Sequence, residues 1–134
     1  IIAPEVEGDF LGVFIGSLPR CAFGAKGNVV AFNKIVADAS TGSGISLFSR
    51  VDSTVKIDVG EVSNNKVAFN DILVTGPGTS AISLQVEYLT EGPTPGEILY
   101  GNVVMFNDLR GSTNPIAFDP PELEQANRVL RNPQ

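Results

Sequence analysis

The sequence predicts an all-β domain, an antiparallel β-sandwich with Greek-key or jelly-roll connections and a short C-terminal helix or tail. Three observations lead to this prediction. A motif recurs three times at constant spacing, apolar runs alternate with Gly- and Pro-rich stretches, and 43% hydrophobic and 18% charged residues suit a folded protein. With 134 residues, the chain has the length of a single domain with one core, 1–134.

The motif has the form Asn-x-Val-x-Phe-Asn-x-(Ile/Leu), and its copies follow one another every 37 residues without a gap. We assign a structural role to the positions that are identical in all copies, which are Asn28, Val30, Phe32, Asn33, Asn65, Val67, Phe69, Asn70, Asn102, Val104, Phe106 and Asn107. Each copy runs into a turn-forming stretch, such as Thr41–Gly44, and then a second apolar segment. The repeat therefore predicts three β-hairpins, at 28–47, 65–84 and 102–118.

The spacing inside the motif predicts an irregularity after each Phe. Side chains alternate along a strand, so Val30 and Phe32 share one face while Ile35 falls on the other. A bulge would turn the later residue inward again, and Asn tolerates the left-handed backbone that a bulge requires. We expect a bulge or sharp twist at the Asn of each copy, namely Asn33, Asn70 and Asn107.

The N-terminal segment, 1–18, contains a strand that is apolar from Phe10 to Ile15 except at Gly12. This composition is typical of a strand covered on both faces. The strand either pairs within its own chain, as most strands do, or inserts into a neighbouring copy by strand exchange. The residues that would mediate assembly in the second case are Phe10, Leu11, Val13, Phe14 and Ile15.

Two further segments have recognisable patterns. The stretch 54–59 predicts a strand with Val55, Ile57 and Val59 on one face. The C-terminal segment, 119–134, predicts a short helix or docked tail, because Asp119 suits an N-cap, prolines follow it, and arginines come late.

The 37-residue period also fits a pseudo-threefold β-trefoil or β-prism, which we keep as the alternative fold. The Asn-x-Val-x-Phe core resembles the latter half of the Gln-x-Asp-x-Asn-x-Val-x-Tyr repeat of monocot mannose-binding lectins, which occurs three times in a β-prism. The resemblance implies a threefold fold and a carbohydrate ligand. The polar pair that contacts sugar in those lectins is replaced here, by Gly24, Glu61 and Ile98 at the Gln position and by Lys26, Ser63 and Tyr100 at the Asp position.

The charge of the chain argues against several classes of partner. The net charge is -6, and no Lys or Arg occurs between Val67 and Leu109. A field of this sign repels nucleic acid and anionic membranes. No apolar run reaches the length that a membrane helix needs. We therefore expect no nucleic acid and no membrane insertion, copies of the same chain as partners, and carbohydrate as the alternative partner.

Catalytic and metal-binding residues are sparse. The chain has no His, so a Ser-His-Asp triad and an imidazole base are excluded, and we expect neither an enzyme nor a cofactor. The candidates for a calcium site are the neighbouring acids Asp52, Asp58 and Glu61. Cys21 is the only cysteine and forms no intrachain disulfide; we expect a small buried side chain, with an interchain disulfide or a reactive thiol as the alternatives.

These features lead to one functional hypothesis and one alternative. The hypothesis is a structural subunit that self-assembles into an extracellular filament, surface layer or shell. The alternative is a β module that binds carbohydrate or another cell-surface ligand. The chain begins at Ile1 rather than Met, which we interpret as the sign of an exported protein located outside the cell or on a cell or virion surface.

Overall fold

The computed structural model describes residues 1–17, with the backbone alone for 3–8, together with residues 24–54 and 60–134. The strands are β1 (Ile2–Ser17), β2 (Ala25–Lys26), β3 (Val29–Ala31), β4 (Lys34–Val51), β5 (Val62–Ser63), β6 (Lys66–Ala68), β7 (Asp71–Thr75), β8 (Gly78–Tyr88), β9 (Leu99–Tyr100), β10 (Val103–Met105), β11 (Ile116–Asp119) and β12 (Arg128–Leu130). The helices are α1 (Pro95–Ile98) and α2 (Leu123–Ala126). In these ranges neither helix is long and apolar enough to cross a membrane.

Each strand pairing between the described residues is parallel. The strands form three sheets: sheet A has the order β1-β4-β8-β11 with β7 also paired to β4, sheet B is β2-β5-β9, and sheet C is β12-β10-β6-β3. The chain passes through sheets B, C and A in turn and then returns to sheet B one strand further along. Each circuit is one coil of a parallel β-solenoid.

The coils are numbered by their strands. Coil 1 holds β2, β3 and β4, coil 2 holds β5 to β8, and coil 3 holds β9, β10 and β11. Before them β1 adds coil 0 to sheet A alone, and after them α2 and β12 form coil 4. The 37-residue period of the sequence is the length of one circuit, since Val30 pairs with Val67 and Ile45 with Ile82.

The predicted antiparallel sandwich is wrong, and so is the trefoil or prism alternative, because the repeats stack along an axis as parallel coils. The predicted hairpin turn at Thr41–Gly44 lies inside β4, which continues through it in one direction. Gly76 and Pro77 separate β7 from β8, yet both strands pair with β4 in one register, from Lys34↔Asp71 to Thr41↔Gly78. The chain therefore does not reverse at either glycine-rich stretch.

The glycines in these stretches permit a close approach between coils. Gly42 has φ +117° and Gly76 has φ +124°, in a region that side chains rarely adopt. A Cβ at Gly42 would overlap the backbone of Phe10, and one at Gly76 would overlap the carbonyl oxygen of Ala39. Glycine inside a strand marks such contacts between neighbouring backbones as well as turns.

The core is built from columns of aliphatic side chains that point into the solenoid from all three sheets. Fully buried members of these columns are Ile45, Ile82, Leu47, Leu84, Val67, Val104, Val62 and Leu99. Each such side chain contributes about 1.5–3 kcal/mol relative to an exposed position. Paired strands place equivalent residues of successive coils side by side. Apolar residues that recur at equivalent positions therefore pack together on the same side of the core.

The C-terminal segment contains both a helix and a strand. The helix α2 is a single turn whose N-cap is Glu122, so Asp119 does not hold the predicted N-cap position. After it β12 pairs with β10 and extends sheet C. Val55, Ile57 and Val59, which define the predicted strand 54–59, lie outside the described residues. Cys21 also lies outside them.

Candidate functional site

Two columns of stacked asparagines run along the two sides of sheet C. The first comprises Asn28, Asn65, Asn102 and Asn127, and the second comprises Asn33, Asn70, Asn107 and Asn132. In each step, the side-chain Oδ1 accepts from both the backbone N–H and the side-chain amide of the Asn one coil earlier. Asn102 Oδ1, for example, accepts from the backbone of Asn65 at 3.0 Å and from its Nδ2 at 2.9 Å. These bonds satisfy amides that are buried at the inner coils.

The columns have a direction. Every Oδ1 faces the preceding coil, while the backbone N–H and one side-chain N–H face the following coil. The second N–H of Asn107 returns to the carbonyl of Val67 at 3.0 Å. The acceptor of each Asn therefore points toward one end of the solenoid, and its backbone N–H and one side-chain N–H point toward the other.

The last members of the two columns differ. Asn127 Nδ2 donates to the carbonyls of Leu99 at 3.1 Å and Leu123 at 2.8 Å, so α2 closes this column. Asn132 Nδ2 donates to the carbonyl of Val104 at 3.1 Å, and within the described residues it has no further acceptor. At the other end, no donor in the described part of the chain reaches Oδ1 of Asn33. The column of Asn33, Asn70, Asn107 and Asn132, called the Asn132 column below, thus has hydrogen-bonding groups without a partner in the described residues at both of its ends.

The residues Asn127 to Asn132 form a fourth copy of the motif that sequence reasoning missed. They read Asn-x-Val-x-Arg-Asn, with Arg131 in place of Phe. The interval from Asn102 to Asn127 is 25 residues rather than 37, so the constant period does not reveal the copy. The spacing of five residues between its asparagines, the same as between Asn28 and Asn33, is the signal that identifies it.

The motif phenylalanines form an exposed column beside the Asn132 column. Phe32 stacks on Phe69 with ring centroids 5.4 Å apart and planes 6° apart, and Phe69 stacks on Phe106 at 5.4 Å and 13°. Their exposed fractions are 83%, 45% and 40% in the same order. Phe32 is the most exposed of the three rings, and within the described residues no ring stacks on its face away from Phe69.

The irregularity expected at the asparagines lies one residue earlier. The left-handed residues are Phe32, Phe69 and Phe106, with φ of 59°, 58° and 55°, and Arg131 follows with φ 46°. There is no bulge, because the strand ends before the Phe in each copy. The next strand begins directly after Asn33 and Asn70, and Asn107 is followed by an isolated bridge between Asp108 and Asp71. At the other corner of sheet C the equivalent residues Gly27, Asn64 and Gly101 suit this conformation. The phenylalanines adopt it at a conformational cost.

The five predicted assembly residues all lie in β1, which pairs in parallel with β4 of the same chain. The side chains of Phe10 and Ile15 are buried, and Val13 packs against the core. Leu11 is 53% and Phe14 43% exposed on the outside of sheet A. In the described residues, the edge of β1 that faces away from β4 has no partner strand.

The outside of sheet A also carries a polar and aromatic groove next to Phe14. Phe14 contacts Phe48 with ring centroids 5.9 Å apart, and the guanidinium of Arg50 lies 5.7 Å from the Phe48 ring centre. Arg50 also pairs with Glu87 at 2.6 Å. The hydroxyls of Ser43, Ser83 and Ser46 form a hydrogen-bonded chain along the same face.

Of the three candidate calcium ligands the structure describes two, Glu61 and Asp52, and each of them contacts other side chains. Glu61 pairs with Lys26 at 2.5 Å and accepts from the hydroxyl of Tyr100 at 2.9 Å, and these contacts, first that with Lys26, hold the pKa of its carboxyl below the usual value. Asp52 accepts from the backbone and hydroxyl of Thr54 at 3.0 and 2.5 Å. Asp58 lies outside the described residues. Among the described residues no group of three His, Cys, Asp or Glu side chains is placed to hold a metal ion.

Comparison with known proteins gives no family for this chain. No protein-family model, no curated protein and no solved structure matches it. The functional proposal therefore depends on the geometry of the solenoid, above all on its open sheet edges and its exposed aromatic column.

Proposed function

We propose that the chain is a non-enzymatic structural subunit that associates with copies of itself, in a filament, surface layer or shell outside the cell or on a virion. The observation that carries this proposal is β1, a strand of 16 residues that forms the edge of sheet A. The N–H and C=O groups of an edge strand are a template for pairing with another chain.

The exposed surface of β1 supports pairing rather than protection of the edge. Native proteins commonly shield an edge strand with Lys, Pro or a covering element. From Asp9 to Ser17, β1 contains no Lys, Arg or Pro, and Leu11 and Phe14 are exposed. Pro4 lies in the first half of β1, so the second half, which lacks these protective residues and exposes apolar side chains, is the part of the edge that favours association over solubility.

The chemistry of the remaining surface supports a structural role over catalysis. The sequence contains no His. The acids Glu61, Glu87 and Asp108 each pair with a basic side chain, and Asp108 contacts Arg110 at 2.5 Å. The contacts with Lys26 and Arg110 lower the pKa of Glu61 and of Asp108, which disfavours either carboxyl as a general acid near neutral pH.

The molar mass of the chain in solution, measured by light scattering over a range of concentrations, tests the proposal. We expect species larger than the 14.1 kDa monomer, and we expect Leu11→Lys with Phe14→Lys to shift them toward monomer because Lys on an edge strand opposes pairing. The matched control is Leu89→Lys, which charges a side chain that is 55% exposed and far from β1 in the sequence. A chain that stays monomeric at all concentrations would contradict self-assembly.

A second candidate function, binding of carbohydrate, is favoured by the groove on the outside of sheet A. Phe48 and Phe14 offer ring surface, and the chain of serine hydroxyls and Arg50 offer hydrogen bonds, which is the combination that sugars require. A glycan array tests this candidate, with Phe48→Ala expected to abolish any positive signal. An array without signal for the wild-type chain excludes this candidate for the glycans it displays.

A further inference from the structure

We infer that copies join head to tail, with β12 of one copy pairing in parallel with β3 of the next in the register that places Asn132 on Asn33 and Arg131 on Phe32. This inference rests on the self-association proposed above and adds the polarity, the contact strands and the register. The partner is a second copy of this chain.

The two ends of the solenoid are stepped in complementary ways. Sheet A extends from coil 0 to coil 3, from β1 to β11, whereas sheet C extends from coil 1 to coil 4, from β3 to β12. At the end of the solenoid formed by coils 0 and 1, the first end, sheet A therefore projects by one strand. At the end formed by coils 3 and 4, the last end, sheet C projects by one strand. When a second copy is displaced along the axis by four coils, its β1 lies beside β11 of the first copy. Its β3 then lies beside β12 of the first copy.

The register of the joint follows from the motif. Asn127 and Asn132 enclose β12 with the same spacing with which Asn28 and Asn33 enclose β3. Inside the chain the same register already joins β12 to β10, with Val104 opposite Val129. The joint between copies repeats a pairing that the fold uses at each of its own steps.

The open asparagine column has complementary groups at its two ends. At the last coil, Asn132 offers its backbone N–H and one side-chain N–H, and at the first coil Asn33 offers Oδ1. Within the chain the equivalent bonds from Asn70 to Asn107 measure 3.1 and 2.8 Å. Because donors meet acceptors only when the last end contacts the first end, the column specifies a head-to-tail joint and disfavours contact between like ends.

The aromatic column has the same polarity. Phe32 presents an open ring face and is 83% exposed, while Arg131 occupies the phenylalanine position of coil 4. Stacking the next copy on this end places the Arg131 guanidinium over the Phe32 ring. A guanidinium on an aromatic face is a favourable contact, and it gives a reason for a surface phenylalanine to be kept in a strained conformation.

Repetition of this joint produces a filament with a defined axial repeat. Four strand spacings correspond to about 19 Å per subunit. Each sheet then continues through successive copies, except that α2 interrupts sheet B once per subunit.

The inference is tested by changing the charges at the joint and measuring association by sedimentation velocity. Phe32→Lys faces Arg131 of the neighbouring copy with a like charge, so we expect association to weaken by about tenfold or more. Arg131→Glu alone removes the contact with the ring and weakens association as well. The matched control, Phe69→Lys, adds the same charge in the middle of the column and leaves association within about threefold of wild type.

Mixing the two weak variants distinguishes head-to-tail contact from other arrangements. In an equimolar mixture, the carboxylate introduced by Arg131→Glu in one variant meets the ammonium introduced by Phe32→Lys in the other. At the alternate joints the native Arg131 meets the native Phe32. We therefore expect the mixture to regain polymers that neither variant forms alone, with circular dichroism confirming that each variant is folded.

The outcomes separate this inference from the proposed function. If wild type polymerises but Phe32→Lys and Arg131→Glu have no effect, or if the mixture of two weakened variants regains nothing, the head-to-tail joint is wrong while self-association stands. If wild type remains a 14.1 kDa monomer, both fail. An axial repeat of about 19 Å in fibre diffraction supports the joint, and polymers with a different repeat overturn it.

Discussion

Asn70 holds Asn33 through a single oxygen: its Oδ1 accepts the backbone N–H of Asn33 at 3.0 Å and the side-chain amide of Asn33 at 2.9 Å. Its own Nδ2 donates to the carbonyls of Val30 and Ala68 and to Asn107. One buried side chain therefore joins three successive coils.

Asn70→Ala is expected to lower the free energy of unfolding by about 3 kcal/mol or more, because several buried groups lose their partners at once. Urea denaturation measures the change. The control is Asn114→Ala, on an exposed loop, which should change stability by less than about 0.5 kcal/mol. Similar values for the two variants would show that the column does not stabilise the fold.

The phenylalanine column predicts opposite effects at two equivalent positions. Phe32 and Phe69 have the same left-handed backbone, but Phe32 stacks on one ring and Phe69 on two. Asn relieves the strain at either position, by about 1 kcal/mol, whereas each stack contributes about 0.5–1.5 kcal/mol. We expect Phe32→Asn to be neutral or stabilising and Phe69→Asn to destabilise by about 1 kcal/mol or more in thermal denaturation of a non-associating background. The reverse order would contradict this balance.

Two glycines with positive φ are expected to tolerate alanine differently. A Cβ at Gly42 would overlap the Phe10 backbone, whereas a Cβ at Gly27 meets nothing within 4 Å. Gly42→Ala should therefore destabilise by about 2–4 kcal/mol and displace β1, while Gly27→Ala should cost about 1 kcal/mol for its left-handed backbone. Chemical denaturation gives both values, and equal losses would show that the contact between β1 and β4 is loose.

We expect the contact between Asp108 and Arg110 to stabilise the folded state less in strong acid. Hydrogen bonds from the Arg110 side chain, and secondarily from its backbone N–H, lower the pKa of Asp108 from 3.8 to about 2. A carboxyl whose pKa is lower in the folded state stabilises that state above its ordinary pKa, and the contribution disappears as the pH falls from about 4 to about 2. The difference in stability between wild type and Asp108→Asn should therefore shrink across this range. A difference that is independent of pH would contradict the Asp108–Arg110 contact.

The sequence was sufficient to predict several elements of the fold. The all-β class follows from residue type and spacing, and β1 lies where the apolar run from Phe10 to Ile15 indicates a strand. The structural role of the motif asparagines and valines stays a prediction, which Asn70→Ala tests. The assembly role of that strand remains a prediction. These features are visible in the sequence because they depend on local preferences and on one constant period.

The direction of pairing depended on the tertiary structure. Side chains alternate with a period of two residues in parallel and antiparallel strands alike, so the pattern around Gly42 fits either a hairpin turn or an irregular point inside a long strand. The choice between a hairpin turn and a continuous strand is decided by the partner of β4: it pairs in parallel with β8 and does not fold back on itself. The sequence by itself thus determined a strand-rich chain with a 37-residue unit, and the tertiary structure decided that the unit is one coil of a solenoid, because strand partners are selected by contacts between distant residues.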